Sequence, residues 1–136
     1  MSERMIALRG RVFPSDLNHA GTVFGGWIMG KMDKAASIAV EDIIFSPAVT
    51  VAVSDMTFIK PIHNGAIFTV YTKIVHIGKS SIKVDVDVQI KERETRNEFA
   101  ATKAVFTFVV VDDKGKPRDV REVIRYNIDD YVKKML

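Results

Sequence analysis

Four residues near the start of the chain are of types that do chemistry together. They are Asn18, the adjacent Gly25 and Gly26, and Asp33, all within the stretch PSDLNHAGTVFGGWIMGKMDKAA at residues 14–36. A carboxylate can act as a general base or as a nucleophile. Unpaired backbone amides at a helix start favour an oxygen that gains negative charge, and glycines let a ligand come close to them. An asparagine amide can orient a water or a carbonyl. Together these groups fit acyl transfer, where a carbonyl oxygen gathers charge while its carbon is attacked. A carboxylate one to two turns into a helix with open first amides would supply both functions at one place. Each residue also has a plainer reading. Asn18 is a good turn former, paired glycines let a helix pack closely on a sheet, and Asp33 can sit at a helix margin and reach water.

The elements that must position these residues are legible from the hydrophobic pattern. A helix is expected from about Gly25 to Phe45, ended by the SP pair at Ser46 and Pro47. Stepping about 100° per residue from Ile28, the residues Ile28, Met29, Met32, Ala36, Ala39, Val40 and Ile43 share one third of the circumference. Lys31, Lys34, Glu41 and Asp42 fall outside that arc. Asp33 lies at about 140°, between Val40 and Ile44, on the edge of an apolar stripe. A charge buried there is costly, and such carboxylates hold a proton or a partner. Active sites recruit groups in this position.

A strand is expected from Met5 to Phe13, and four more follow the helix. VTVAVSDMTFIKP and AIFTVYTKIVHI are rich in β-branched and aromatic residues. In SIKVDVDVQIKER, Ile82, Val84, Val86, Val88 and Ile90 alternate with polar residues, as in an antiparallel strand with one wet face. FAATKAVFTFVVVDD is the last, and the short joints HNG and HIGKSS suit antiparallel neighbours. Ile128, Tyr131, Val132 and Met135 have the spacing of a short terminal helix over about 127–135. The whole reads as an α+β domain, an antiparallel sheet wrapped around one helix. The VTVAV run is too apolar for an open edge and is expected to pair with a second subunit.

Composition narrows the class without deciding it. The 136 residues make one domain, 1–136, with 47% hydrophobic and 27% charged residues. With no cysteine, disulfides, thiolate metal sites and a cysteine nucleophile are excluded. His19, His63 and His76 make no ligand pair, so no metal is expected. There is no GxSxG elbow and no Walker loop. The N-terminus lacks the apolar run of a signal peptide, and Lys31, Asp33 and Lys34 interrupt the longest candidate span. A cytoplasmic protein without a membrane partner is the expectation.

The stretch PSDLNHAGTVFGGWIMGKMD resembles the hotdog-fold acyl-coenzyme A thioesterases, specifically the small bacterial acyl-CoA thioester hydrolases of the YciA type. The likeness runs on through VTVAVSDMTFIKPI, IGKSSIKVDVDV and AVFTFVVVDDKGKPR, to about Arg118. It implies the hotdog fold, dimers whose sheets join, often a trimer of dimers (a hexamer), and acyl-CoA hydrolysis between two subunits. Coenzyme A is then part of substrate and product, and no cofactor is needed. Asp33 matches the catalytic helix aspartate. Asn18 matches a catalytic asparagine that comes from the opposite subunit. Gly25 and Gly26 match the glycines whose amides polarise the thioester carbonyl. Gly78, Lys79, Ser80 and Ser81 offer charge, hydroxyls and loop amides to the coenzyme's phosphates, with Lys60 and Arg93 as further cations. That loop also reads simply as a solvated hairpin turn. Lys34 and the residues AAS depart from the family pattern, which bears on substrate preference.

Three other classes compete. A dehydratase of the same fold would want a histidine on the helix, which has none. A non-catalytic acyl-CoA binding or sensing domain would share the cleft. A nucleic-acid binder would want a basic stripe, whereas the lysines here are dispersed and the net charge is only +3.

Overall fold

A computed structural model describes residues 4–136. Five strands form one antiparallel sheet, and a single long helix lies across it. In chain order the elements are β1 (Met5–Arg11), α1 (Gly25–Glu41), β2 (Ala48–Phe58), β3 (Ile67–Ile77), β4 (Ser81–Lys91), β5 (Glu98–Val110) and the one-turn helix α2 (Asp130–Lys133). The strand order is β1-β3-β4-β5-β2, which puts β1 and β2 at the edges. Every pairing is antiparallel. No helix among the described residues is long and apolar enough to cross a membrane.

The alternation in β4 is realised in full. Ile82, Val84, Val86, Val88 and Ile90 are buried against the helix side, while Lys83 and Asp85 are exposed. Phe68 and Val70 of β3 and Phe106 and Phe108 of β5 extend the same buried layer. From α1, Ile28, Met32, Ala35, Ala36 and Val40 fill it. Trp27 meets Phe68 edge to face, with centroids 5.3 Å apart. Gly10 faces that same phenylalanine, and a Cβ there would sit 2.8 Å from its ring, so the strand needs a glycine at this point.

Both helices are shorter than the sequence expectation, and β1 ends at Arg11 rather than Phe13. The helix stops at Glu41 rather than Phe45, because the chain's C-terminal segment captures the residues that follow. Phe45 N–H donates to the Val123 carbonyl, Arg125 N–H donates to Ile43, and Ile44 bridges Ile124. Arg125 Nε then donates to the carbonyls of Glu41 and Ile44, both at 2.8 Å. A cation at that end also suits the helix dipole. The tail itself is helical only from Asp130 to Lys133. It is anchored by buried Ile128 and Val132 and by Tyr131, whose hydroxyl accepts from Ile74 N–H.

Met29 departs from the pattern as well. It lies within the apolar stripe yet is 38% exposed. The apolar edge strand is open in the same way: Val49, Val51 and Val53 are all exposed. An unpaired apolar edge is a template for another chain.

Arg96 holds a φ of 62° in the β4–β5 connection, a conformation that costs a side-chain-bearing residue about 1 kcal/mol or more. Arg96→Gly is therefore expected to raise the thermal unfolding midpoint by a few degrees, read by circular dichroism.

Candidate functional site

The N-terminal turn of α1 is left open by its own sequence. Phe24 is the N-cap and has no side chain with which to cap it. Trp27 and Ile28 both donate to the Phe24 carbonyl, whereas the Gly25 and Gly26 N–H groups have no acceptor among the described residues. A Cβ on Gly26 would meet nothing within 4 Å, so no packing demands a glycine there. Gly25 does serve packing: a Cβ on it would lie 3.4 Å from the Phe58 ring. The turn is pinned from behind by Val23 N–H to the Ile62 carbonyl at 2.9 Å and Phe24 N–H to the Asp16 carbonyl at 3.3 Å. Two donors thus face outward from a rigid support, as an oxyanion requires.

Asp33 is half-buried on the boundary between the apolar and exposed faces of α1. Its Oδ1 accepts a 2.6 Å hydrogen bond from the Thr50 hydroxyl of β2. Its other oxygen has no partner among the described residues. The carboxylate is therefore held in orientation by one atom and left free at the other.

Asn18 closes a tight loop. Its Oδ1 accepts from Ala20 N–H at 2.9 Å and from Thr22 N–H at 3.2 Å. Those two backbone donors identify the atom as the carbonyl oxygen. Its own N–H donates to the Thr22 carbonyl at 2.6 Å. The Nδ2 group gives one bond, to Thr22 Oγ1 at 3.2 Å, and keeps a second N–H to donate elsewhere. Asn18 is therefore a turn former that keeps a spare donor.

These groups do not converge within one chain. Gly25 and Asp33 are eight residues apart on one helix, so about 12 Å separates them along its axis. A thioester carbonyl cannot touch both. The phosphate candidates divide in the same manner. Phe58, next to Ile59 and Lys60, pairs with Thr102 of β5, and Ser81 pairs with Val109. Seven strand residues put about 23 Å between those ends of the sheet. The Gly78–Ser81 loop is fixed in place, its first three carbonyls accepting from Arg121, Val120 and Val110. A Cβ on Gly78 would lie 2.6 Å from Ser81 Oγ. Lys79 points outward and is exposed. Lys60 lies over the Phe99 ring, and Arg93 is paired with Glu94.

The thioesterase superfamily pattern matches residues 20–97, more than half of the chain, and includes Gly25, Gly26, Asp33 and Thr50 but not Asn18. The chain belongs to the thioesterase superfamily. It is 41% identical over 122 residues to an uncharacterized acyl-CoA thioester hydrolase of Haemophilus influenzae, covering 88% of this chain and 79% of that one. It is 35% identical over 116 residues to the acyl-CoA thioester hydrolase YciA of Escherichia coli, covering 83% and 88%. Among solved structures, a hexameric hotdog fold thioesterase of Campylobacter jejuni superposes with a TM-score of 0.80 at 32% identity, covering 86% and 90%. The hotdog architecture expected from the sequence is the architecture of this chain.

In this thioesterase-superfamily member, sequence reading missed Thr50. A threonine in a β-branched strand carries no signal of its own. Its part emerges only when the fold lays β2 beside α1 and its hydroxyl meets Asp33.

The dual character of Asn18 can be separated. Asn18→Ala removes an acceptor for two backbone donors and is expected to cost about 1–3 kcal/mol in urea unfolding. Asn18→Asp keeps the acceptor and should retain most of that stability while losing the spare donor.

Proposed function

We propose that this chain hydrolyses acyl-CoA thioesters, at sites that form only where two protomers meet about a two-fold axis. The observation that carries the reading is the Asp33 carboxylate, oriented by Thr50 through one oxygen and open at the other. The hydrolase relatives and the superfamily match support the reaction class.

The helix spacing supports a two-fold arrangement. If two α1 helices run antiparallel with Met29 at the crossing, each Asp33 faces the partner's Gly25 and Gly26 amides. Met29 is exposed where such a crossing needs it. Pairing of β2 with a second β2 gives the same result. Thr50 lies toward the start of β2 and Phe58 at its end, beside Gly25. Antiparallel pairing brings the Thr50–Asp33 end of one protomer to the Phe58–Gly25 end of the other. It also brings Lys60 of one chain toward the Gly78–Ser81 loop end of the other, so a shared phosphate patch becomes possible. A trimer of such dimers would give the hexamer known for the Campylobacter jejuni relative.

In this arrangement the free Asp33 oxygen takes a proton from water. The hydroxide attacks the thioester carbon, and the carbonyl oxygen gains charge against the Gly25 and Gly26 amides. Asn18 orients the water or the carbonyl through its spare Nδ2–H. Collapse of the tetrahedral intermediate breaks the carbon–sulfur bond, and the thiolate leaves with the proton returned from Asp33. The products are a carboxylic acid and free coenzyme A. If Asp33 instead attacks directly, an anhydride forms and water then opens it. Single-turnover reaction in oxygen-18 water labels the Asp33 side chain only by that second route.

A thiol-release panel over acyl-CoAs tests the activity, since a pure binding domain would show affinity and no thiol. Asp33→Asn is expected to lower kcat by at least about a hundredfold. Thr50→Val should lower it by about tenfold, the loss of one charge-assisted hydrogen bond that positions the base. Near-normal turnover in Asp33→Asn would overturn the assignment.

The shared site has its own signature. Asp33→Asn and Asn18→Asp are each impaired, but refolded together they form mixed dimers with one intact site each. Activity should recover to about a quarter of wild type at equal ratio, because half the dimers are mixed and each has one good site of two. No recovery would place the two residues in one protomer's site.

A further inference from the structure

We infer that the segment Asp119–Arg121 braces the Gly78–Ser81 turn from behind, and that Arg121 is a positioning residue for the phosphate end of the substrate. The inference rests on the thioester hydrolase reading above and adds a residue to it. The segment begins just beyond Arg118, where the likeness read from the sequence ends.

The brace is made of two contacts over a long stretch of chain. Arg121 Nη1 donates to the Gly78 carbonyl at 3.0 Å, across 43 residues. Val120 N–H donates to the Lys79 carbonyl at 2.8 Å, and the Val120 side chain is buried in the core. Val120 is thus the anchor and Arg121 the arm. The arm is itself held: Asp119 Oδ1 accepts from Arg121 N–H at 3.0 Å and lies 3.7 Å from Arg121 Nη1. Farther along, Phe45 N–H donates to the Val123 carbonyl and Arg125 N–H to the Ile43 carbonyl. The same strap therefore ties the turn to the end of the helix that carries Asp33.

Peptide geometry gives those contacts a consequence for a ligand. In a trans peptide the C=O and N–H of one unit point in opposite directions. The Gly78 carbonyl shares a unit with Lys79 N–H, and the Lys79 carbonyl shares the next with Ser80 N–H. With both carbonyls engaged by the brace, both N–H groups point away from it, and neither has an acceptor among the described residues. Successive outward amides suit an anion. The exposed Lys79 ammonium and the Ser80 and Ser81 hydroxyls stand on the same turn. The carboxylate of the segment, Asp119, is occupied by Arg121. Of the parts of an acyl-CoA, the phosphates carry the charge that such donors favour. Without the arm, the Gly78–Lys79 peptide is free to turn over and present a carbonyl oxygen, which repels a phosphate.

The test compares an acyl-CoA with the matching S-acyl pantetheine, which lacks the nucleotide and its phosphates, by thiol release. Arg121→Ala is expected to raise KM for the acyl-CoA by about three- to tenfold, the loss of one hydrogen bond, with kcat and both constants for the pantetheine thioester unchanged. Arg121→Lys keeps a donor and should recover part of the loss. The Arg121 side chain is 44% exposed, so its removal leaves the core intact. If Arg121→Ala yields no folded oligomer, Asp119→Ala, which frees the arm, is expected to show the same split and decides instead. A fall in kcat, an equal change with both substrates, or no change with either would overturn the inference while leaving the hydrolase reading intact. A wild-type protein that releases thiol from neither substrate would overturn both.

Discussion

A helix is a rigid ruler, and this one carries open amides at its first turn and a carboxylate eight residues later. Their separation is fixed by backbone hydrogen bonds and no side-chain movement closes it. Every other feature of the site is consistent with that single constraint. The open amides, the exposed Met29 and the apolar edge of β2 are all left uncovered in one protomer. In the proposed dimer a two-fold axis completes each of them at once. Reversing the chain direction swaps the two ends of the ruler.

The two elements bordering the site enforce the same geometry. Thr50 ties Asp33 to the first half of β2, and Phe58 ties the open first turn of α1 to its last residue. Helix and strand therefore present their functional groups in the same order. A slip in strand pairing between protomers would separate a base from its amides. A one-residue slip would also turn side chains to the wrong face. In the proposed dimer, register at the edge is in this sense part of the active site, although no edge residue need touch substrate.

Much of this was legible in the residues. The alternation in β4 fixed which side of the sheet is buried, and the periodicity of α1 placed Asp33 on the boundary where the structure has it. The open helix start could be read from FGGW, because glycines following phenylalanine leave nothing to cap the turn. What could not be read was long-range. The end of α1 is set by Arg125 and the segment around Val123, some eighty residues downstream. Thr50 acquires its role only through a neighbour in space. The idea that base and amides meet at one place in one protomer also fails, since adjacency in sequence along a helix means separation in space. Met29 looked like core because periodicity reports which residues avoid water, and a surface awaiting a second copy does so too.

The unpaired β2 edge also governs how the molecule comes into being. Val49, Val51 and Val53 present bare hydrocarbon and unsatisfied amides as soon as a protomer folds. Such a strand joins the first compatible strand it encounters, whether on its own twin or on an unrelated nascent chain. Under the proposed dimer, dilution after synthesis would work against maturation, and the lone protomer would be both inert and sticky. In that dimer, finding a mate is the last step of folding.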